Sequence, residues 1–152
     1  MKIFVRDYFI ILIGLYIIFY SPISPISEHI NLWQKDFLLY SMRIFIDSFE
    51  FIDYQIIINP HYHLEITSRC TSSIPLFLLW AFILAHKNQI SKKIKIIALS
   101  LIVINIFNIL RISFVAFVVK YDSSLFFIAH SVGGNIILGV SIFGLLGLYL
   151  RK

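Results

Sequence analysis

Three residues in this chain carry side chains suited to acyl transfer: a thiol at Cys70, a guanidinium at Arg111 and an imidazole at His130. Cys70 is the single cysteine, so an internal disulfide framework and cysteine-cluster metal sites are excluded. Its uses are packing, pairing with another chain, or reactivity. It lies in the polar stretch Thr67-Ser68-Arg69-Cys70-Thr71-Ser72-Ser73, at the expected start of an apolar helix. There the positive end of the helix dipole and the neighbouring Arg69 favour thiolate over thiol. Thr71 extends the same polar rim.

Arg111 stands inside an apolar run without helix breakers. An arginine inside a lipid-embedded helix costs from about 2.5 kcal/mol upward and rarely persists without a partner. Asn105 and Asn108 precede it on the same helix. Asn108 is one turn away and suited to fix the guanidinium by hydrogen bonding. His130 lies in Phe127-Ile128-Ala129-His130-Ser131-Val132-Gly133-Gly134-Asn135. An imidazole with an ordinary pKa near 6.5 takes and returns protons near neutrality. Each residue also has a plain structural reading: Cys70 as a small buried hydrophobe, Arg111 snorkelling to the interface, and His130 satisfied by interfacial water.

The elements that position these groups follow from composition. Of the 152 residues, 59% are hydrophobic and 14% charged. With a mean hydropathy of +0.89, lipid is the expected solvent. The expected fold is an all-α integral membrane protein, a single membrane domain over residues 1–152. It has about four transmembrane helices, at about 3–20, 71–86, 94–119 and 125–150. The first is ended by Ser21-Pro22-Ile23-Ser24-Pro25, where prolines remove backbone donors. Bulky residues and Pro22 occupy the place of a small-residue cleavage site, so this helix reads as retained rather than as a signal peptide. Glycines 133, 134, 139, 144 and 147 in the fourth stretch predict close helix contacts.

Basic residues near helix ends set the orientation, because positive loops stay cytoplasmic. Lys2, Arg6, Lys87, Lys92, Lys93, Lys95, Arg151 and Lys152 fall on one side. Glu28, Asp36, Asp47, Glu50, Asp53, Glu65 and Asp122 fall on the other. Both termini are therefore predicted to be cytoplasmic. The net charge of +5 is absorbed by this topology, and no nucleic-acid partner is implied. Helix rise then gives depth. Cys70 is about 26 Å from Lys87, Arg111 about 24 Å from Lys95, and His130 about 32 Å from Arg151, across a core of roughly 30 Å. All three groups land near the outer, extracytoplasmic boundary.

The external segment 21–70 carries structure of its own. Trp33, Phe37, Tyr40, Ile44, Phe45 and Phe49 recur at helical spacing, which predicts an amphipathic helix lying along the membrane surface. Gln55–Ile58, the turn signal Asn59-Pro60 and the alternating stretch 61–67 predict a short β-hairpin leading into Cys70. His61 and His63 share a strand face, and Glu65 would complete a set of three metal ligands. That carrier reading is the weaker one, and no cofactor or metal is expected.

The order of a polar Cys segment, then Asn108-Ile109-Leu110-Arg111-Ile112, then His130 entering a last helix resembles the exosortase/archaeosortase family, over about residues 52–150. The resemblance implies a multi-pass membrane cysteine enzyme of the cell membrane with a Cys, Arg and His catalytic set, here Cys70, Arg111 and His130. Asn108, Arg69 and Thr71 are their supporting neighbours. It further implies protein-sorting transpeptidation or proteolysis. The substrates would be secreted proteins ending in a short motif, an apolar helix and a basic tail. Many relatives have about eight spans, so this chain would be a short, core-only form. Thr71 is followed by Ser72 where a glycine is common in the family. The competing class is a non-enzymatic membrane assembly factor or complex subunit, in which Arg111 pairs with a partner's acid.

Overall fold

The computed structural model describes residues 2–45, 49–59, 62–67 and 70–151. Arg69 and His61, both singled out above, lie outside these residues, as do Asp47 and Pro60. The elements run in the order α1 (Lys2–Phe19), α2 (Pro25–Phe45), β1 (Glu50–Ile52), β2 (Gln55–Asn59), β3 (Tyr62–Glu65), α3 (Ser73–Ala85), α4 (Ile90–Tyr121) and α5 (Gly134–Leu150). A 3-10 turn at Ser123–Leu125 and a π-helical turn at Ile128–Gly133 join α4 to α5. The protein is thus mostly helical.

Among the described residues, two helical segments are long and apolar enough to cross a membrane: Ile90–Tyr121, and Ile128–Leu150 with the π-turn included. At about 1.5 Å per residue, α4 is about 48 Å long, well beyond a hydrocarbon core of roughly 30 Å. The apolar helix α3 has 13 residues, about 20 Å. Helix α1 has 18 residues and starts with Lys2, Arg6 and Asp7. None of its residues is buried. It lies along α3, with Phe4 edge-on to Phe82 at 5.5 Å between ring centroids. Its outward Phe9, Ile10, Ile13 and Ile17 are more than half exposed.

Helix α2 begins at Pro25, earlier than its apolar period suggests. Proline fits the first helical position, where no intrahelical N–H bond is missed. Ser27 ties this end to the preceding loop by donating to Ser24 O at 2.8 Å. The apolar stripe Trp33, Phe37, Tyr40 and Ile44 faces outward, with Trp33 66% and Tyr40 68% exposed. The residues that α2 buries are Leu38, Leu39 and Met42, on a different face. Phe49, expected at the end of this helix, falls beyond it and is buried in the core. The two-sided apolar character explains the difference: one apolar face meets the fold and the other is exposed.

The expected hairpin region is a three-stranded antiparallel sheet in the order β1-β2-β3. Asp53, at positive φ (49°), makes the β1–β2 turn, a conformation aspartate tolerates better than most residues. Tyr54 Oη donates to Asp36 Oδ1 at 2.9 Å and so fastens this turn to α2. Along β2, Ile56 and Ile58 point inward, while Gln55 and Asn59 are exposed. This is the alternation of a half-buried strand.

The apolar interior has two parts. One joins Leu38, Leu39 and Met42 of α2, Ile56, Ile58 and Leu64 of the sheet, and Ile109, Ile112, Val115, Ala116 and Val119 of α4. The other joins Leu76, Leu79 and Ile83 of α3, Ile104 of α4, and Leu138, Leu145 and Tyr149 of α5. Asn105 and Asn108 fall on α4 between Ile104 and Ile109, where the two meet.

Candidate active site

Cys70 is carried by the short segment between β3 and α3. Its N–H donates to Thr67 O at 2.9 Å, which turns the chain back on itself. The thiol is half-buried. Its Sγ lies 3.8 Å from Thr67 Oγ1 and 3.9 Å from Glu65 O, both loose contacts. Neither contact involves His130. Helix α3 starts at Ser73, so Cys70 precedes its first turn, where residue 71 was the expected start. The reason lies in the serines. Ser72, at the N-cap position, makes no side-chain cap and instead donates to Asn105 Oδ1 on α4 at 2.8 Å. Ser73 donates to Gln34 Oε1 on α2 at 2.6 Å. Thr71 is buried, with its Oγ1 3.2 Å from Ser73 Oγ. The hydroxyls that might have capped α3 hold three helices together.

Asn108 joins the cysteine segment to the arginine. It is 2% exposed, and its Nδ2 donates to the Cys70 carbonyl at 2.8 Å. Its Oδ1 accepts from Arg111 Nη1 at 3.4 Å. One amide therefore fixes both the Cys70 backbone and the guanidinium, using one donor and one acceptor as its chemistry allows.

Arg111 is 5% exposed and so does not snorkel to an interface. Its Nη2 lies 3.1 Å from His130 Nε2. A guanidinium has only donors, so Nε2 must accept in this contact, which places the imidazole proton of neutral His130 on Nδ1. The ring is further held by Phe126, stacked at 5.2 Å and 22°. Arg111 Nε is buried with no partner among the described residues. It faces Gly134, where a Cβ would come within 2.7 Å of it.

His130 belongs to the π-helical turn Ile128–Gly133. Such wide turns occur mostly as single insertions, frequently at functional sites. No residue type announces one, and sequence reasoning missed it. It also missed Ser72, Ser73 and Gln34, although the hydroxyl-rich run around Cys70 was a visible signal. Of the five glycines expected to mark close packing, only Gly133 and Gly134 meet a neighbour. Gly139, Gly144 and Gly147 have open space around them. Small residues mark packed faces in lipid only where another helix stands opposite.

His63, the describable half of the two-histidine pair, has its Nδ1 3.3 Å from Gln55 Oε1 across the sheet. Among the described residues, no group of three His, Cys, Asp or Glu side chains is arranged to hold a metal ion.

The structure thus pairs Arg111 with His130, and Asn108 ties the backbone carbonyl of Cys70 to the same guanidinium. No match was found among curated proteins or among solved structures. A family model described as transmembrane exosortase (Exosortase_EpsH) matches residues 5–147. That span runs from the first turn of α1 to the last turn of α5 and takes in the cysteine segment, Asn108, Arg111 and His130, so the chain belongs to the transmembrane exosortase family.

Proposed function

We propose that this protein is a membrane-embedded cysteine transpeptidase or protease that processes C-terminal sorting signals of secreted proteins at the extracytoplasmic face. The family is one of cysteine-type sorting transpeptidases, and the observation that carries the reading is the linkage Cys70–Asn108–Arg111–His130. In the proposed topology α1, α3, α4 and α5 all cross, with both termini cytoplasmic, and α2 lies along the outer surface with its exposed aromatic stripe in the lipid headgroups.

Chemically, the peptide carbonyl enters beside Arg111, and its oxygen takes the guanidinium Nη2 from His130. This frees the Nε2 lone pair, the only one on neutral His130. Nε2 then accepts the Cys70 thiol proton as the sulfur attacks the carbonyl carbon. Arg111 stabilises the oxyanion, a contribution strengthened where water is scarce. His130 returns the proton to the leaving amine as the C–N bond breaks, leaving a thioester on Cys70. An amine acceptor resolves the thioester by transpeptidation, or water resolves it by hydrolysis.

The competing role, an assembly subunit whose Arg111 pairs with a partner's acid, is disfavoured because Arg111 is buried among internal partners. The test is Cys70→Ala, with a co-expressed secreted protein bearing the motif, apolar helix and basic tail. Loss of processing at normal membrane abundance is expected, and undiminished processing excludes the nucleophile assignment.

A further inference from the structure

We infer that Gly134 is a positioning residue: its bare backbone forms the slot that seats the Arg111 side chain and so aims the guanidinium at the reacting carbonyl. The inference rests on the catalytic reading of Arg111 given above. Gly134 has ordinary helical angles, φ −63° and ψ −40°, so backbone freedom does not call for glycine there. Glycine is also a poorer helix former than alanine. What calls for it is space. A Cβ at this position would lie 2.7 Å from Arg111 Nε, 3.1 Å from Cγ and 3.2 Å from Cδ.

These atoms belong to the stem of the side chain, not to a free end that can swing aside. Beyond them the guanidinium is held by Asn108 at Nη1 and meets His130 at Nη2. Arg111 is 5% exposed, and its Nε has no other partner among the described residues. A methyl group at 134 therefore has to push the stem, and with it the guanidinium, off its line. His130 and Gly134 flank Ser131, Val132 and Gly133 in and just after the same π-turn, so a single local geometry serves both the imidazole and the slot.

Two neighbouring glycines separate this role from general crowding. A Cβ at Gly133 would lie 2.9 Å from Phe114 Cε1, but Phe114 is 43% exposed and its ring can turn outward. A Cβ at Gly139 meets nothing within 4 Å.

The experiment compares Gly134→Ala, Gly133→Ala and Gly139→Ala in the full chain in native membranes, acting on a co-expressed secreted protein with the three-part C-terminal tail. Displacing a catalytic group by about 1 Å costs on the order of 100-fold in rate. Gly134→Ala is expected to lower kcat by about that factor, with KM and abundance unchanged, while the other two variants stay within about threefold of wild type. A Gly134→Ala enzyme within about threefold of wild type overturns the inference. If Gly134→Ala fails to accumulate, the double variant with Arg111→Ala decides. Recovery of the folded protein supports the slot, and continued loss overturns it.

If Cys70→Ala shows that the chain is not a cysteine enzyme, the thermal midpoint in detergent decides instead. A drop caused by Gly134→Ala in the wild-type background and absent with Arg111→Ala keeps the slot. Equal drops, or none, discard it.

Discussion

Replacing Asn108 by leucine removes the amide that bridges the Cys70 carbonyl and Arg111 while keeping the volume of the side chain. In the folded protein this amide is 2% exposed and makes two bonds, a 2.8 Å donation to the Cys70 carbonyl and a 3.4 Å acceptance from Arg111 Nη1. Leaving a buried polar group unpaired costs about 1–3 kcal/mol. The carbonyl bond is short and belongs in the upper half of that range. The arginine bond is long and belongs near its lower end. Together they give about 3 kcal/mol, and since each 1.4 kcal/mol is a factor of ten, kcat/KM should fall about 100-fold if the loss is felt in the transition state. The assay is processing of the tailed substrate in vesicles, with abundance followed by immunoblot and Cys70 accessibility by alkylation. An Asn108→Leu enzyme within about threefold of wild type, at equal abundance, would refute the claim that this amide organises the site. Asn108→Asp sharpens the result. It keeps the acceptor for Arg111 but offers a carboxylate to the Cys70 carbonyl, so it should be at least as damaging.

His130→Gln retains an oxygen able to accept from Arg111 Nη2 but cannot carry a proton. Processing should fall about 100- to 10,000-fold with the protein still folded, and a rate above a tenth of wild type would remove His130 from proton transfer. Beyond the end of α4, the side chain and backbone N–H of Ser124 hold the Asp122 carboxyl below the usual range. The N–H bond is 2.9 Å long. Because the folded form is the stronger acid, its stabilisation of the turn after α4 is complete above about pH 4 and fades as pH falls through the folded value. Asp122→Asn should flatten that acid-side dependence of the thermal midpoint, and an unchanged profile would show that the turn does not depend on the charge.

How far the sequence carried this picture depended on what each signal encodes. Composition and apolar runs report the solvent, so the membrane class and the positions of α1 and α4 were legible. Cys70, Arg111 and His130 stood out as candidates because a lone cysteine, an arginine in an apolar run and a helix-entry histidine are costly or rare in lipid. What could not be read were relations across the fold. Strand β1, Glu50–Ile52, is three residues long, and its pairing depends on the turn at Asp53. The face that α2 buries became clear only with Leu38, Leu39 and Met42 seated on α4, since its more regular stripe points outward. The glycines of α5 look alike in sequence, and only the position of Arg111 and Phe114 distinguishes Gly133 and Gly134 from the rest.

The same physics explains why the polar groups pair with one another. At the junction of two apolar clusters, each donor or acceptor that lacks water must find a partner or carry a desolvation cost. Gln34 meets Ser73, Ser72 meets Asn105, and Asn108 meets both Cys70 and Arg111. The bonds of Asn108 and Arg111 end at His130 Nε2, whose partner Nη2 is charged, and Arg111 Nε has no partner among the described residues. A closed network would hold the guanidinium equally well with or without substrate. This one ends on a cation paired with a neutral ring, an interaction weaker than a bond to a developing oxyanion. In the proposed mechanism Nη2 therefore exchanges a neutral partner for a charged one, while Asn108 at Nη1 keeps the guanidinium in place.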